Sequence, residues 1–192
     1  MNSIFQGDRF GALQRPVKIM AHNCHLDSLT QDDLSALIEL FTCPRARQYL
    51  GGPITKQLAT QRSHDWIKRS SAEPIWAIRA LLNQTLLGYV ILDKHHDESD
   101  IEISYALLTT YWGRGLATQA LTQASRLAFF ELGLPRIIAE TQAKNLKSTA
   151  LLERIGMNEE RRVFRFGEEQ IIFSLHNPSP PMIEQVGASP LS

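Results

Sequence analysis

The chain has 192 residues, enough to bury one hydrophobic core without cross-links, and its 20 Lys plus Arg balance its 20 Asp plus Glu. Zero net charge removes the basic excess on which nucleic-acid and membrane-surface proteins usually rely, so neither partner is expected and any anion site must be local. Cys24 and Cys43 stand outside any secreted disulfide framework and read as reduced thiols. No apolar run approaches the roughly 20 residues of a membrane span, and Met1 to Ala21 lacks the apolar stretch of a signal peptide, so a cytoplasmic location is expected.

Residues 1–22 show no clear period and read as a poorly specified arm. A short strand is expected near Cys24 to Leu29. Thr30 then offers an N-cap with Asp33 at the third helical position, a relative of the capping box. Leu34, Leu37, Ile38 and Phe41 follow at helical spacing, so a first helix should run to about Thr42 and stop before Pro44. Tyr49-Leu50-Gly51-Gly52-Pro53 is a turn signal, and Thr55 to Ser70 reads as a second helix with Trp66 and Ile67 on its buried face.

Ile75 to Leu81 and Leu86 to Asp93 are apolar, β-prone runs joined at Asn83-Gln84, which predicts an antiparallel hairpin. Asp100 to Leu108 alternates and predicts the third strand of a meander. Along it Asp100, Glu102 and Ser104 point one way and Ile101, Ile103 and Tyr105 the other, so one face is polar. After a pair of glycines, Ala117, Ala120, Leu121, Ala124, Leu127 and Ala128 share one helical face, and Gly133 closes that helix. Ile137 to Thr141 predicts a strand. Asn145 can cap a short helix that turns Leu151, Leu152 and Ile155 to the core and ends at Gly156. Arg161 to Phe166 and Gln170 to Leu175 predict a final hairpin around Gly167-Glu168, and from His176 on a proline-rich stretch without period reads as a flexible tail, residues 176–192.

This order predicts one α/β domain over residues 23–175, a sandwich with a mixed, mostly antiparallel central sheet flanked by helices. The helix after the glycines can cross over to a parallel strand, which leaves splayed strand ends beside the glycine loop, a common place for ligands.

That loop is Tyr111-Trp112-Gly113-Arg114-Gly115-Leu116-Ala117-Thr118. Two glycines one residue apart, feeding a helix, leave backbone N–H groups uncovered at the positive end of the helix dipole, which suits an anion. A dinucleotide fingerprint is not met, because Thr118 stands where the third glycine or alanine belongs and the preceding strand alternates. A Walker loop is not met either, since the Gly-Lys-Ser/Thr ending is missing. A helix start without a ligand stays open.

The run from Tyr111 to Ala120 resembles the acyl-CoA pyrophosphate loop of the GCN5-related N-acetyltransferases, nearest the branch with the bacterial ribosomal-protein N-terminal acetyltransferases. The family's Gln/Arg-x-x-Gly-x-Gly/Ala falls on Trp112, Gly115 and Ala117, with Trp112 matching that branch. Asn145-Leu146-Lys147-Ser148 and the later Gly156-Met157 resemble the branch's Asn-x-x-Ser and terminal Gly-Phe, with Met157 in place of Phe. The resemblance covers about residues 24–175, weakly before Trp76 and well after Gly88. It implies the family's fold and acetyl-CoA as co-substrate, with no metal.

The resemblance also assigns sites. The amides of Gly113, Arg114, Gly115, Leu116, Ala117 and Thr118 would hold the pyrophosphate, with Trp112 in the motif and Arg114 either adding charge at the rim or simply solvated. Tyr105, Ala106 and Leu107 would pair with pantetheine as an added strand, and Asn145 would cap its helix and touch the same arm. Acyl transfer needs a neutral amine. An α-amine with a pKa of about 7.7–8.0 is roughly a tenth neutral at pH 7, whereas a lysine has well under a thousandth neutral, so an N-terminal acceptor asks less of the protein. Glu102 is the candidate base, directly or through water, against a carboxylate that merely faces solvent or pairs with a cation. Ser148 is the candidate proton donor to the CoA thiolate, against an ordinary first-turn serine. Many relatives place a tyrosine on the short helix, where this chain has Leu151-Leu152, and the missing tyrosine keeps a CoA-binding module without activity as the alternative. His95-His96 reads as a solvated turn, with no Cys or carboxylate at ligand spacing. Trp66 and Trp76 read as core. The acceptor class, from protein N-terminus to small amine or aminoglycoside, and the choice between monomer and homodimer stay open.

Overall fold

A computed structural model of the chain describes residues 19–20, 23–97 and 100–178. Strand β1 (Ile19–Met20) pairs with β2 (Cys24–Asp27), and helices α1 (Leu34–Thr42) and α2 (Lys56–Arg69) follow. Strands β3 (Ile75–Ala80), β4 (Leu86–Lys94) and β5 (Ile101–Leu107) form the meander. Helix α3 (Leu116–Phe130), β6 (Arg136–Gln142), α4 (Leu146–Arg154), β7 (Asn158–Arg165) and β8 (Glu168–His176) complete the order. The sheet runs β1-β2-β3-β4-β5-β6-β8-β7, and among the described residues the one parallel contact is β5 with β6.

The period-2 alternation of the strands divides the core. On one face Ile78, Val90, Leu92, Ile103, Ala139 and Phe173 pack under Ala117, Ala120, Leu121, Ala124 and Ala128 of α3. On the other, Ala77, Tyr89, Ile91, Ala106 and Leu108 pack under Leu37, Leu40, Phe41 and Ala59 of α1 and α2. The small residues of α3 let the helix lie close on the sheet. Trp76 is buried in the first cluster and is a core residue, whereas Trp66 is half-buried, packing edge-on against Phe41 and Tyr89 at the margin of the second. Cys24 and Cys43 are free thiols, and burial pushes the Cys24 thiol up to about 11.

Asp33 does more than cap. Its carboxylate accepts from the Thr30 backbone N–H at 2.7 Å, and it also takes both terminal nitrogens of Arg79 on β3, at 2.8 and 2.6 Å. Arg79 in turn donates to the Ser28 and Gln84 carbonyls. This buried pair ties the entry of α1 to the sheet.

Three sequence expectations need correction. Within the stretch read as an unspecified arm, Ile19–Met20 is a strand, because Leu26 and His25 of β2 offer it an open edge; residues 1–18 and 21–22 lie outside the described residues. The tail begins later than His176. That residue pairs with Arg136, and the Asn177 N–H donates to the Pro135 carbonyl at 2.9 Å, which closes the sheet against the α3–β6 connection; residues 179–192 lie outside the described residues. Strand β7 starts at Asn158 instead of Arg161. Asn-Glu-Glu-Arg-Arg reads as solvated chain, yet an edge strand carries such residues outward, where Arg162 pairs with Glu159 and Glu169.

Candidate active site

The parallel contact between β5 and β6 is brief. Glu102 is paired with Ile138, and beyond that point the strands part, so Ser104 to Leu107 and Glu140 to Gln142 line the two arms of a split in the sheet. The split opens toward the carboxyl ends of both strands, where α3 begins.

A short 3-10 turn, Thr109–Tyr111, leads into the glycine loop. Gly113 and Gly115 both adopt left-handed backbone, φ +76° and +71°, which explains glycine at those two positions. Helix α3 starts at Leu116, and Gln119 N–H bonds to the Gly115 carbonyl at 3.2 Å. The amides of Leu116, Ala117 and Thr118 therefore precede the helical ladder and point out of the helix end. Trp112 locks the loop to β5, its indole N–H donating to the Leu107 carbonyl at 3.0 Å. Arg45, from the chain after α1, and Lys147, from α4, each hold their charge over the Trp112 ring, at 5.3 and 5.5 Å. Arg114 leans over Tyr111 at 5.5 Å. Three chain segments thus gather cations round the helix start in a protein of zero net charge. Arg45 and Lys147 were not singled out in the sequence, and only the three-dimensional neighbourhood of Trp112 marks them.

Strand alternation sends Glu102 and Ser104 to the α1–α2 face and Ile103 and Tyr105 to the α3–α4 face. Asn145 caps α4 as expected, its side-chain oxygen accepting from the Ser148 N–H at 3.3 Å and its amide donating to Thr141. Ser148 is half-buried, and its hydroxyl lies 2.9 Å from the Tyr105 hydroxyl. A tyrosine therefore does reach the candidate proton donor, from β5 and not from α4. The alternation placed Tyr105 on the helical face; its partner across 43 residues was invisible in sequence. Burial pushes the Tyr105 phenol up, and Ser148 works against that shift.

Glu102 is half-buried and Ser104 donates to it at 3.2 Å. Burial pushes its carboxyl up from the ordinary range; the His95 charge, the Ser104 hydroxyl and the Glu140 backbone N–H oppose the shift. Glu102 thus does not simply face solvent; it sits within reach of the His95 charge. Glu102 and Ser148 sit on opposite faces of β5, and the split beside that strand is where one bound molecule can reach both faces.

The expectation of a solvated turn at His95-His96 is overturned for His95, which is 1% exposed. Its Nε2 lies 2.8 Å from a Glu140 oxygen and its Nδ1 2.6 Å from Asp97. Carboxylates distant in sequence supply what the local spacing lacked. Among the described residues, donor atoms of His95, His96 and Glu140 fall within 4.8 Å of one another, but the Arg165 guanidinium already occupies the Glu140 carboxylate. The group reads as an ion-pair network. His96 is exposed and stacks between the His95 and Phe166 rings.

These features have relatives. Residues 24–158 match the family model of the Acetyltransferase (GNAT) domain. The chain is 32% identical over 75 residues to the uncharacterized N-acetyltransferase YnaD of Bacillus subtilis, an alignment covering 39% of this chain and 44% of that protein. It is 27% identical to N-alpha-acetyltransferase 30 of Schizosaccharomyces pombe over 65% of this chain and 80% of the relative. In the first of these curated relatives the match spans less than half of the protein's length. Among solved structures, a GNAT-family acetyltransferase from Bacillus anthracis superposes with a TM-score of 0.74 at 21% identity, over 85% of this chain and all of that one. A spermidine N-acetyltransferase from Vibrio cholerae, solved with CoA and spermine, reaches 0.68 at 19% identity over 81% and 96%. The splayed mixed sheet, the glycine loop at the head of α3 and the family model over most of the described residues agree: the chain belongs to the GCN5-related N-acetyltransferase family.

Proposed function

We propose that the protein transfers acetyl from acetyl-CoA to a primary amine by direct attack in a ternary complex, and that a protein N-terminus is the favoured acceptor. The observation that carries the reading is the placement of the loop. Gly113 and Gly115 expose helix-end amides beside the split between β5 and β6, so pyrophosphate bound there directs the thioester into the gap. Arg45, Lys147 and Arg114 supply local positive charge for the phosphates. Past Glu102, Tyr105, Ala106 and Leu107 have no strand partner on the β6 side and turn that edge to the pantetheine amides, with the Leu107 carbonyl shared with the Trp112 indole. Glu102 accepts the amine's proton on the α1–α2 face. Ser148 gives a proton to the departing thiolate on the other, with its hydroxyl held by Tyr105.

The acceptor preference rests on charge. Arg47 braces the turn after α1 by donating to the Gly52 carbonyl at 2.5 Å, Arg62 lies over Phe41 at 5.6 Å, and Arg45 covers Trp112. Three cations along the α1–α2 side repel a polyamine more than a peptide with one α-amine. The α-amine also starts closer to neutrality.

The test is thiol release with saturating acetyl-CoA and a panel of peptides, polyamines and aminoglycosides. Peptide turnover above polyamine turnover supports the reading, and the reverse order moves the acceptor to small amines. CoA binding without turnover across the panel returns the inactive binding module, and no CoA binding refutes both. Glu102→Gln should lower turnover by roughly 10²–10⁴-fold while sparing CoA affinity, the range a general base contributes.

A further inference from the structure

We propose that His95 is a positioning residue for Glu102: an imidazolium pinned between Asp97 and Glu140, it keeps the neighbouring Glu102 carboxylate ionised in its half-buried seat, ready to take the acceptor's proton. The proposal rests on Glu102 being the base.

The geometry begins with the ladder. Beyond the Lys94–Ile101 pair, the His95 N–H donates to the Asp100 carbonyl at 2.9 Å, so β4 and β5 stay in register for one more residue. Alternation then puts Asp93 and His95 on the same face as Asp100 and Glu102. From the next strand Glu140 lies two residues past Ile138, the partner of Glu102, and so shares that face. Glu140 serves both groups at once, its carboxylate holding the His95 ring and its backbone N–H donating to Glu102.

The protonation state follows from hydrogen-bond inventory. A neutral imidazole has one N–H, and its other nitrogen would turn a lone pair toward a carboxylate. Here both ring nitrogens face carboxylates, at 2.6 and 2.8 Å, on a side chain that is 1% exposed. The doubly protonated ring suits both, with Glu140 bonded to Nε2 and Asp97 engaging Nδ1 as an ion pair by proximity, outside hydrogen-bond geometry. Burial pulls the His95 pKa down, but Asp97, Glu140 and the charge of Glu102 outweigh it and the net direction is up.

The surrounding charges leave His95 as the cation acting on Glu102. Arg165 donates to both oxygens of Glu140 and approaches His95 Nε2 at 3.3 Å, so its charge is spent on that carboxylate. Asp97 is shared with Arg161 at 3.1 Å, and Asp100 pairs with Arg136 at 2.8 Å. Asp93 stands opposite Glu102 and is exposed, and the half-buried Glu140 carboxylate presses Glu102 toward its neutral form. His96 stacks on the His95 ring at the surface, 4.1 Å between centroids, and its charge would disfavour that of His95.

The experiment compares kcat/KM against pH for wild type, His95→Gln and Glu102→Gln, using the peptide acceptor that turns over best. Loss of the imidazolium should move the acid limb of the His95→Gln profile upward, costing roughly tenfold at about pH 6 with recovery toward wild type in alkali, at unchanged CoA affinity. A His95→Gln profile parallel to wild type overturns the proposal. A second measurement needs no His95 variant. By reciprocity, Glu102→Gln must lower the pH at which the His95 ring titrates by NMR, and an unchanged titration also overturns it. If Glu102→Gln turns over like wild type, the base assignment itself falls. Loss of turnover in Glu102→Gln with a parallel His95→Gln profile removes only the role of His95.

Discussion

Gly88 carries no chemistry, yet its replacement should cost more than that of any glycine in the loop. It sits on β4 opposite Leu107, beside the point where β3 and β4 slip register. A Cβ added at Gly88 would overlap the Ala106 carbonyl oxygen and come within 2.7 Å of Leu107 Cδ2 and 2.8 Å of Leu107 Cα. Carbon pairs are comfortable at about 3.5–4.0 Å, so β4 and β5 must part by the better part of an ångström. Two of the three clashing atoms are backbone, which no rotamer change moves aside. Overpacking alone costs about 1–3 kcal/mol, and opening the ladder, including the 2.9 Å bond from Leu108 N–H to the Leu87 carbonyl, adds about 0.5–1.5 kcal/mol for each bond lost. Gly88→Ala should therefore lose about 2–5 kcal/mol, a large share of the roughly 5–15 kcal/mol of a typical domain.

The loss should also reach the cofactor. Leu107 carries the carbonyl that anchors the Trp112 indole, so a displaced β5 unseats the glycine loop. The assay is urea unfolding followed by tryptophan fluorescence, with CoA titration on the folded protein in parallel. Gly113→Ala is the internal comparison. No atom lies within 4 Å of a Cβ there, so the cost is the left-handed backbone alone, about 1–2 kcal/mol. If Gly88→Ala shifts stability by less than Gly113→Ala at the same unfolding slope, the argument from backbone contact is wrong.

Two further outcomes are open to measurement. Arg79→Met leaves the Asp33 carboxylate buried without its cation and should destabilise by about 3–5 kcal/mol in urea unfolding, with Asp33→Asn in the same chain recovering part of the loss. Arg45→Ala and Lys147→Ala should each weaken CoA binding by roughly 3- to 10-fold and flatten its salt dependence, read by calorimetry at two ionic strengths, with kcat at saturating acetyl-CoA unchanged.

What was legible in the sequence was whatever is written locally. Alternation from Asp100 to Leu108 marked β5 and its two faces, the spacing of alanines marked the buried side of α3, and the glycine pair marked the loop, since each depends on neighbours a few residues away. The partners that decide the chemistry are remote. Glu140 reaches His95 across 45 residues, Ser148 reaches Tyr105 across 43, and Asp33 reaches Arg79 across 46. A histidine pair in a polar connection looks solvated until β6 and β7 fold over it with Glu140 and Arg165. The tyrosine beside Ser148 escapes the motif for a related reason: it comes from β5, not from α4, and motif spacing along α4 cannot record it.

In the proposed reaction a single strand divides the proton traffic. Residues three apart on β5 must point to opposite faces, so Glu102 and Tyr105 stand on opposite sides, about 10 Å apart along the chain. One carboxylate held on the α1–α2 face of β5 could not take a proton from the amine and also return it to a thiolate on the opposite face of the strand. Two groups with separate surroundings resolve this. Glu102 needs an environment that keeps it charged, which the proposed imidazolium of His95 supplies, whereas Ser148 needs its hydroxyl held in place, which the Tyr105 hydroxyl does from 2.9 Å, where either oxygen can donate. The glycine loop then has one task, to fix the thioester at the one place in the sheet where both faces are within reach.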